Sequence, residues 1–146
     1  MSEPIIQLAE LKLTSEAKSY LKETAKWAFF LSIVGFVGIA IMVIFALFAS
    51  TIFGSIPQYQ NLPFNMGKII AIVYLILAAI YLFPVYYLMQ FGNKMKAALS
   101  LKEDAILTES FGMLKSHYKF IGVFTIIILS LYALLFVVGM LGFLAS

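Results

Sequence analysis

Charge and apolar side chains are segregated into blocks along this chain. Lys26 and Lys68 bracket 41 uncharged residues, Lys68 and Lys94 bracket 25, and 27 more follow Lys119. A helix that crosses a bilayer takes about 20 mostly apolar residues, so each run is long enough to cross once. A soluble amphipathic helix would carry its polar face on the same segment. The pattern predicts an all-α membrane protein with three transmembrane helices, at about 27–53, 69–91 and 120–144. A cytoplasmic segment (1–26) precedes them, an outer loop (54–68) joins the first two, and a cytoplasmic connector (92–119) joins the last two. The first run, Trp27 to Phe53, is longer than a signal-peptide core of about 7–15 residues and is expected to be a retained helix. The second contains Pro84, which removes one helical hydrogen bond and is expected to kink it.

The segments before the first and third runs repeat apolar residues at helical spacing. Leu13, Ala17, Tyr20, Thr24 and Trp27 form one stripe; Leu107, Phe111, Leu114, Tyr118 and Ile121 form another. These stripes predict an N-terminal amphipathic helix and a cytoplasmic helical connector. Ser100-Leu101-Lys102-Glu103 fits a capping box, with Ser100 accepting from the N3 amide and Glu103 returning to the cap amide. On that reading the second span continues as helix to about Leu99 and a new helix starts after Ser100. A weak repeat relates Ser15-Glu16, Leu21-Lys22, Lys26-Trp27 and Ser32 to Thr108-Glu109, Leu114-Lys115, Lys119-Phe120 and Thr125, 93 residues on. Convergence of two helices entering lipid from one side is favoured over duplication as its source.

Charge sets the orientation. The chain has a net charge of +3 and a mean hydropathy of +1.02, and all its basic residues are lysines. Lys12, Lys18, Lys22 and Lys26 precede the first run; Lys94, Lys96, Lys102, Lys115 and Lys119 lie between the second and third; Lys68 alone lies between the first and second. The positive-inside rule places the N-terminus in the cytoplasm and the C-terminus outside. With no cysteine, disulfide scaffolds and zinc–thiolate sites are excluded. Without arginine, and with the basic residues at membrane edges, nucleic acid is not expected as a partner.

Two stretches carry a family likeness: Ile80-Tyr81-Leu82-Phe83-Pro84-Val85-Tyr86-Tyr87-Leu88, continuing through Phe91-Gly92-Asn93-Lys94-Met95-Lys96-Ala97-Ala98-Leu99, and Leu114-Lys115-Ser116-His117-Tyr118-Lys119-Phe120-Ile121-Gly122 with Thr125-Ile126 and Leu131-Tyr132-Ala133-Leu134. They resemble a bacterial family of small multi-pass membrane proteins known only as a domain of unknown function, and the likeness runs from Lys22 to Val138. The resemblance implies a bacterial cytoplasmic-membrane protein. It brings no activity, cofactor or catalytic residue.

Candidate chemistry is sparse. Glu3, Glu10, Glu16, Glu23, Glu103, Asp104 and Glu109 all fall outside the uncharged runs, which argues against a proton or cation pump acting as a monomer. His117 is the one histidine, two turns from Glu109, and is read as an interfacial imidazole rather than a metal ligand. No catalytic constellation and no cofactor are expected. Lys18, Lys22 and Lys26 form one row at four-residue spacing, and Lys115 and Lys119 another. Either they snorkel independently, or two basic helix ends form a cradle for anionic headgroups. Within the spans, Ser32, Tyr86 and Thr125 are expected at similar depth and Tyr81 and Tyr132 near the bilayer centre, facing the bundle as polar packing contacts. Gly35 with Gly38, and Gly139 with Gly142, permit close approach on one face. The leading functional expectation is a non-enzymatic accessory or structural protein acting through helix and lipid contacts, as a homo-oligomer or with a membrane-protein partner. The alternatives are a homo-oligomeric channel or small-solute permease and, behind it, a lipid-acting enzyme using Glu103, Asp104, Glu109 and His117.

Overall fold

The computed structural model of the chain describes residues 11–145. Residues 1–10, with Glu3 and Glu10 and the beginning of the predicted cytoplasmic segment, lie outside them. Among the described residues the structure is helical: α1 (Ser15–Gly54), the single turn α2 (Pro57–Gln60), α3 (Met66–Leu101) and α4 (Asp104–Ala145). The three long helices contain the predicted spans, and each is long and apolar enough to cross a membrane. At 36 to 42 residues they are about 54–63 Å long, well beyond a hydrocarbon core of about 30 Å. α1 is continuous through positions 15–26, and α4 through 104–119, so the predicted amphipathic segments are the ends of long helices rather than separate elements.

Local sequence sets the ends. The Thr14 hydroxyl accepts from the Ala17 amide at 3.1 Å, and Asn65 Oδ1 from the Lys68 amide at 3.0 Å. These are N-cap bonds that satisfy otherwise unpaired donors. Pro57 opens α2, where its missing N–H costs nothing. The expected capping box at Ser100 does not form: Ser100 lies in the last turn of α3, and α4 starts at Asp104. Lys102 makes the turn instead, with φ 56° and ψ 43°, and its amide and that of Glu103 both donate to the Ala98 carbonyl. This is a left-handed helix end of the kind usually given to glycine.

α3 is the central helix and packs on both others. Its seam with α1 runs the whole length of the hairpin and is built on small residues. Ala25, Ala28, Ser32, Ala46 and Ala49 are buried on α1, and Gly67, Ala78 and Gly92 on α3. A Cβ added to Gly92 would stand 2.9 Å from the Ala25 carbonyl oxygen; one added to Gly67 would stand 2.5 Å from the Ser50 Cα. Hydrocarbon gives no hydrophobic reward for joining helices, so close van der Waals approach through small residues is what holds such a seam. Many of the large residues therefore stay outside, although Phe45 and Tyr74 meet across the seam and Phe91 and Met95 pack on Ala25 and Ala28. Tyr20 and Trp27, on the apolar stripe read from the sequence, are exposed, while Ala25 and Ala28 are buried. The same rotation affects α4: Tyr118, Phe111 and Ile121 are exposed, whereas Ser110 is buried and Leu107, Leu114 and His117 are partly covered.

The α3–α4 seam is shorter and chemically different. Phe91 and Met95 on α3 are fully buried, with Leu107, Met113 and Leu114 of α4 among the side chains around them. Lys94 Nζ pairs with Glu109 Oε2 at 2.7 Å, His117 Nδ1 lies 2.7 Å from the Pro84 carbonyl oxygen, and the Phe83 and Phe120 rings stack at 5.9 Å. Beyond Ile128, every described residue of α4 is exposed. These contacts put Lys119 level with Phe83 and Pro84, ten residues short of Lys94. The uncharged run of α4 thus begins about 15 Å further along α3 than the lysine edge of α3 itself.

Candidate functional site

That offset decides where the polar residues of the spans fall. Ser32 is fully buried in the α1–α3 seam, and its hydroxyl donates to the Phe29 carbonyl of its own helix at 2.6 Å. Tyr86 is near the same level but 49% exposed. Thr125 is exposed and lies further along than either. The expected polar layer is therefore not assembled. Tyr81 and Tyr132 are 46% and 67% exposed. Extending the register of Phe83 against Phe120, Tyr81 is level with about residue 122 of α4, some 15 Å short of Tyr132. The expectation that both rings face the bundle is corrected: depth counted from separate run edges assumed that all three helices enter at one level, and α4 does not. Gly35 lies against Val85, but Gly38, Gly139 and Gly142 have open surroundings, so neither glycine pair forms a contact face as a pair.

His117 has a defined partner. A carbonyl can only accept, so His117 Nδ1–H donates to Pro84. Proline lacks an amide hydrogen, and Pro84 therefore leaves the Ile80 carbonyl without its helical donor. The imidazole is a clasp between α3 and α4 at this interruption. Among the described residues no group of three or more His, Cys, Asp or Glu could hold a metal ion, and no fully buried side-chain polar atom lacks a partner.

The lysines separate into distinct surroundings. Lys22 and Lys26 on α1 converge with Lys96 on α3 around an open cavity of about 580 Å³, which Ser19, Glu23 and Trp27 also line. Lys96 Nζ lies 4.8 Å from the Phe29 ring centroid, within cation–π range. Lys18 lines a different cavity, of about 280 Å³, with Lys102, Glu103 and Asp104. Lys119 edges an apolar groove of about 370 Å³ between α3 and α4, with Tyr87, Ser116 and Phe120. Lys115 is exposed on α4. Neither lysine row therefore stays together at one cavity, and Lys22 and Lys26 share theirs with Lys96. Sequence spacing along one helix could not name Lys96, because its place is set by the Gly92 approach between helices. A legible signal was present: Lys94 and Lys96 bound their uncharged run as Lys26 bounds its own.

The fold and this basic end define a chain of three potential membrane-spanning helices with three lysines around one open cavity near the ends of two of them. Comparison with family models, with curated proteins and with solved structures finds no match for it.

Proposed function

We propose that this chain is a non-enzymatic accessory or structural protein of the bacterial cytoplasmic membrane, acting through helix–helix and lipid contacts. On this reading it belongs to the family of small multi-pass membrane proteins that its Phe-Pro stretch and lysine-rich connector resemble. Its N-terminus and the lysines at the adjoining ends of α1 and α3 lie in the cytoplasm, by the positive-inside rule. One observation carries the proposal: among the described residues, α4 is exposed all along Leu129 to Gly142, whereas α1 and α3 pack on each other along the length of the hairpin. Such an exposed helical stretch beside a packed hairpin is suited to contact another membrane protein or a second copy. The polar layer that favoured a channel is not assembled.

The test is affinity purification of the tagged full-length chain in several mild detergents, followed by mass spectrometry. A reproducible membrane-protein partner or a stable homo-oligomer, lost when Leu134 and Leu141 are replaced by Ala and Asn, is the expected outcome. Recovery of a lone monomer in every detergent contradicts the reading.

A further inference from the structure

We infer that one face of the α1–α3 hairpin is a binding site for a single anionic phospholipid, its phosphate held by Lys22, Lys26 and Lys96 and an acyl chain lying along the seam below them. The inference deepens the lipid contacts of the proposed function and rests on that reading only in taking the helices to sit in a bilayer.

Lys22 and Lys26 of α1 and Lys96 of α3 line one open cavity, with Glu23 as the single acidic residue in its lining. An excess of positive charge calls for an anion. Lysine suits a phosphate, as a point charge with rotatable donors. What separates a lipid phosphate from a free one lies further along the same face. Lys22, Phe29 and Phe36 are spaced by seven residues on α1, so they form one stripe with a drift of about 20° per step. Lys96 and Leu82 are related in the same way, fourteen residues apart on α3. Phe36 and Leu82, with Ala79, Phe83 and Tyr86, line a second open cavity of about 530 Å³ whose walls are almost wholly apolar. Between the two cavities Phe29 carries Lys96 over its ring.

The distances fit one leaflet. From Lys26 to Phe36 is ten residues, about 15 Å of helix, and half of a hydrocarbon core of about 30 Å is the same length. Trp27 stands at the head of this face, exposed, where an indole favours the boundary between headgroups and chains. A water-soluble phosphate would use the lysines and leave the apolar groove idle. A zwitterionic lipid would use the groove and gain little from three lysines. Only an anionic phospholipid uses both.

Native mass spectrometry of the delipidated full-length protein in detergent tests this, with phosphatidylglycerol, phosphatidylethanolamine and glycerol 3-phosphate as separate probes. One phosphatidylglycerol should be retained at least about tenfold more tightly than phosphatidylethanolamine, since each lysine facing an anionic headgroup is worth about fivefold in affinity. The preference should disappear in Lys22→Gln/Lys26→Gln/Lys96→Gln and persist in Lys115→Gln/Lys119→Gln. Ala79→Phe, which fills the lower groove without entering the seam, should weaken phosphatidylglycerol severalfold and leave any glycerol 3-phosphate binding unchanged. If the triple variant does not fold, Lys96→Gln against Lys96→Arg decides, with only the arginine keeping the preference. Equal retention of the two lipids, native retention by the triple variant, or displacement of the lipid by glycerol 3-phosphate at equal concentration overturns the inference. Because the isolated chain is measured, such a failure leaves the partner reading to be judged by its own purification experiment.

Discussion

The two seams of α3 are built on opposite plans. Against α1 it presents glycine and alanine to alanine and serine, and the two backbones run close from Gly92 and Ala25 to Gly67 and Ser50. Against α4 it adds a lysine, a proline carbonyl and the Phe83 ring, together with Phe91 and Met95, which also pack on Ala25 and Ala28 of α1, and the contact fades beyond Phe124. The first plan works in hydrocarbon, where tight van der Waals contact is the main attraction available. The second depends on bulky side chains and polar pairs gathered near the lysine-bearing end. The hairpin can therefore hold together along its full length, while α4 is fastened at one end.

Breaking the first seam should have the largest effect. Gly92→Leu drives a side chain into the Ala25 carbonyl and the Phe29 backbone, and should cost about 3 kcal/mol, the upper part of the overpacking range. Gly139→Leu, at a position with nothing within 4 Å, should stay within about 0.5 kcal/mol of the parent. Reversible unfolding in mixed micelles compares the two, and similar losses would dissolve the distinction between seams.

The second seam should yield less to any one change. His117→Ala removes the donor to Pro84 and should cost about 1 kcal/mol in the same assay. Lys102→Gly acts on the turn between α3 and α4, where a side chain is held in left-handed backbone, and should stabilise by about 1 kcal/mol. Smallest of all, Glu109→Gln breaks an ion pair whose side chains are 29% and 59% exposed. It should cost no more than about 0.5 kcal/mol and even less at high salt.

The contrast also explains what could be read from the sequence. Three long apolar helices were legible because uncharged runs of this length have few other uses, whereas the N-caps Thr14 and Asn65 were not singled out. The packed faces were not legible from bulk. A pattern search for large apolar residues selects Tyr20, Trp27 and Tyr118, the side chains a membrane can accommodate outside the bundle, while Ala25, Ser32 and Gly92 carry the contact. Relative depth was hidden as well. Lys26 and Lys119 look equivalent as edges of their runs, but the pairing of Lys94 with Glu109 and of His117 with Pro84 slides α4 by about ten residues. That slide separates Tyr81 from Tyr132, and a single chain read end to end contains no measure of it. The basic cavity was half visible: Lys22 and Lys26 share a helix face, whereas Lys96 joins them only through the hairpin.

The absence of native cysteine makes the central claim, a full-length α1–α3 seam beside an α4 fastened at one end, open to direct measurement by paired cysteines. A Cβ at Gly35 would lie 3.5 Å from the Val85 Cβ, within disulfide range. Gly35→Cys/Val85→Cys should therefore oxidise readily within one chain. Tyr74, further along α3 and in contact with Phe45 of α1, lies level with about residue 129 of α4 if the register of their contacts is extended. Tyr74→Cys paired in turn with a cysteine at each of positions 128–131 should give no intrachain crosslink, at monomer dilution, under conditions that complete the first. Crosslinking of any of these pairs as fast as Gly35→Cys/Val85→Cys would contradict the account.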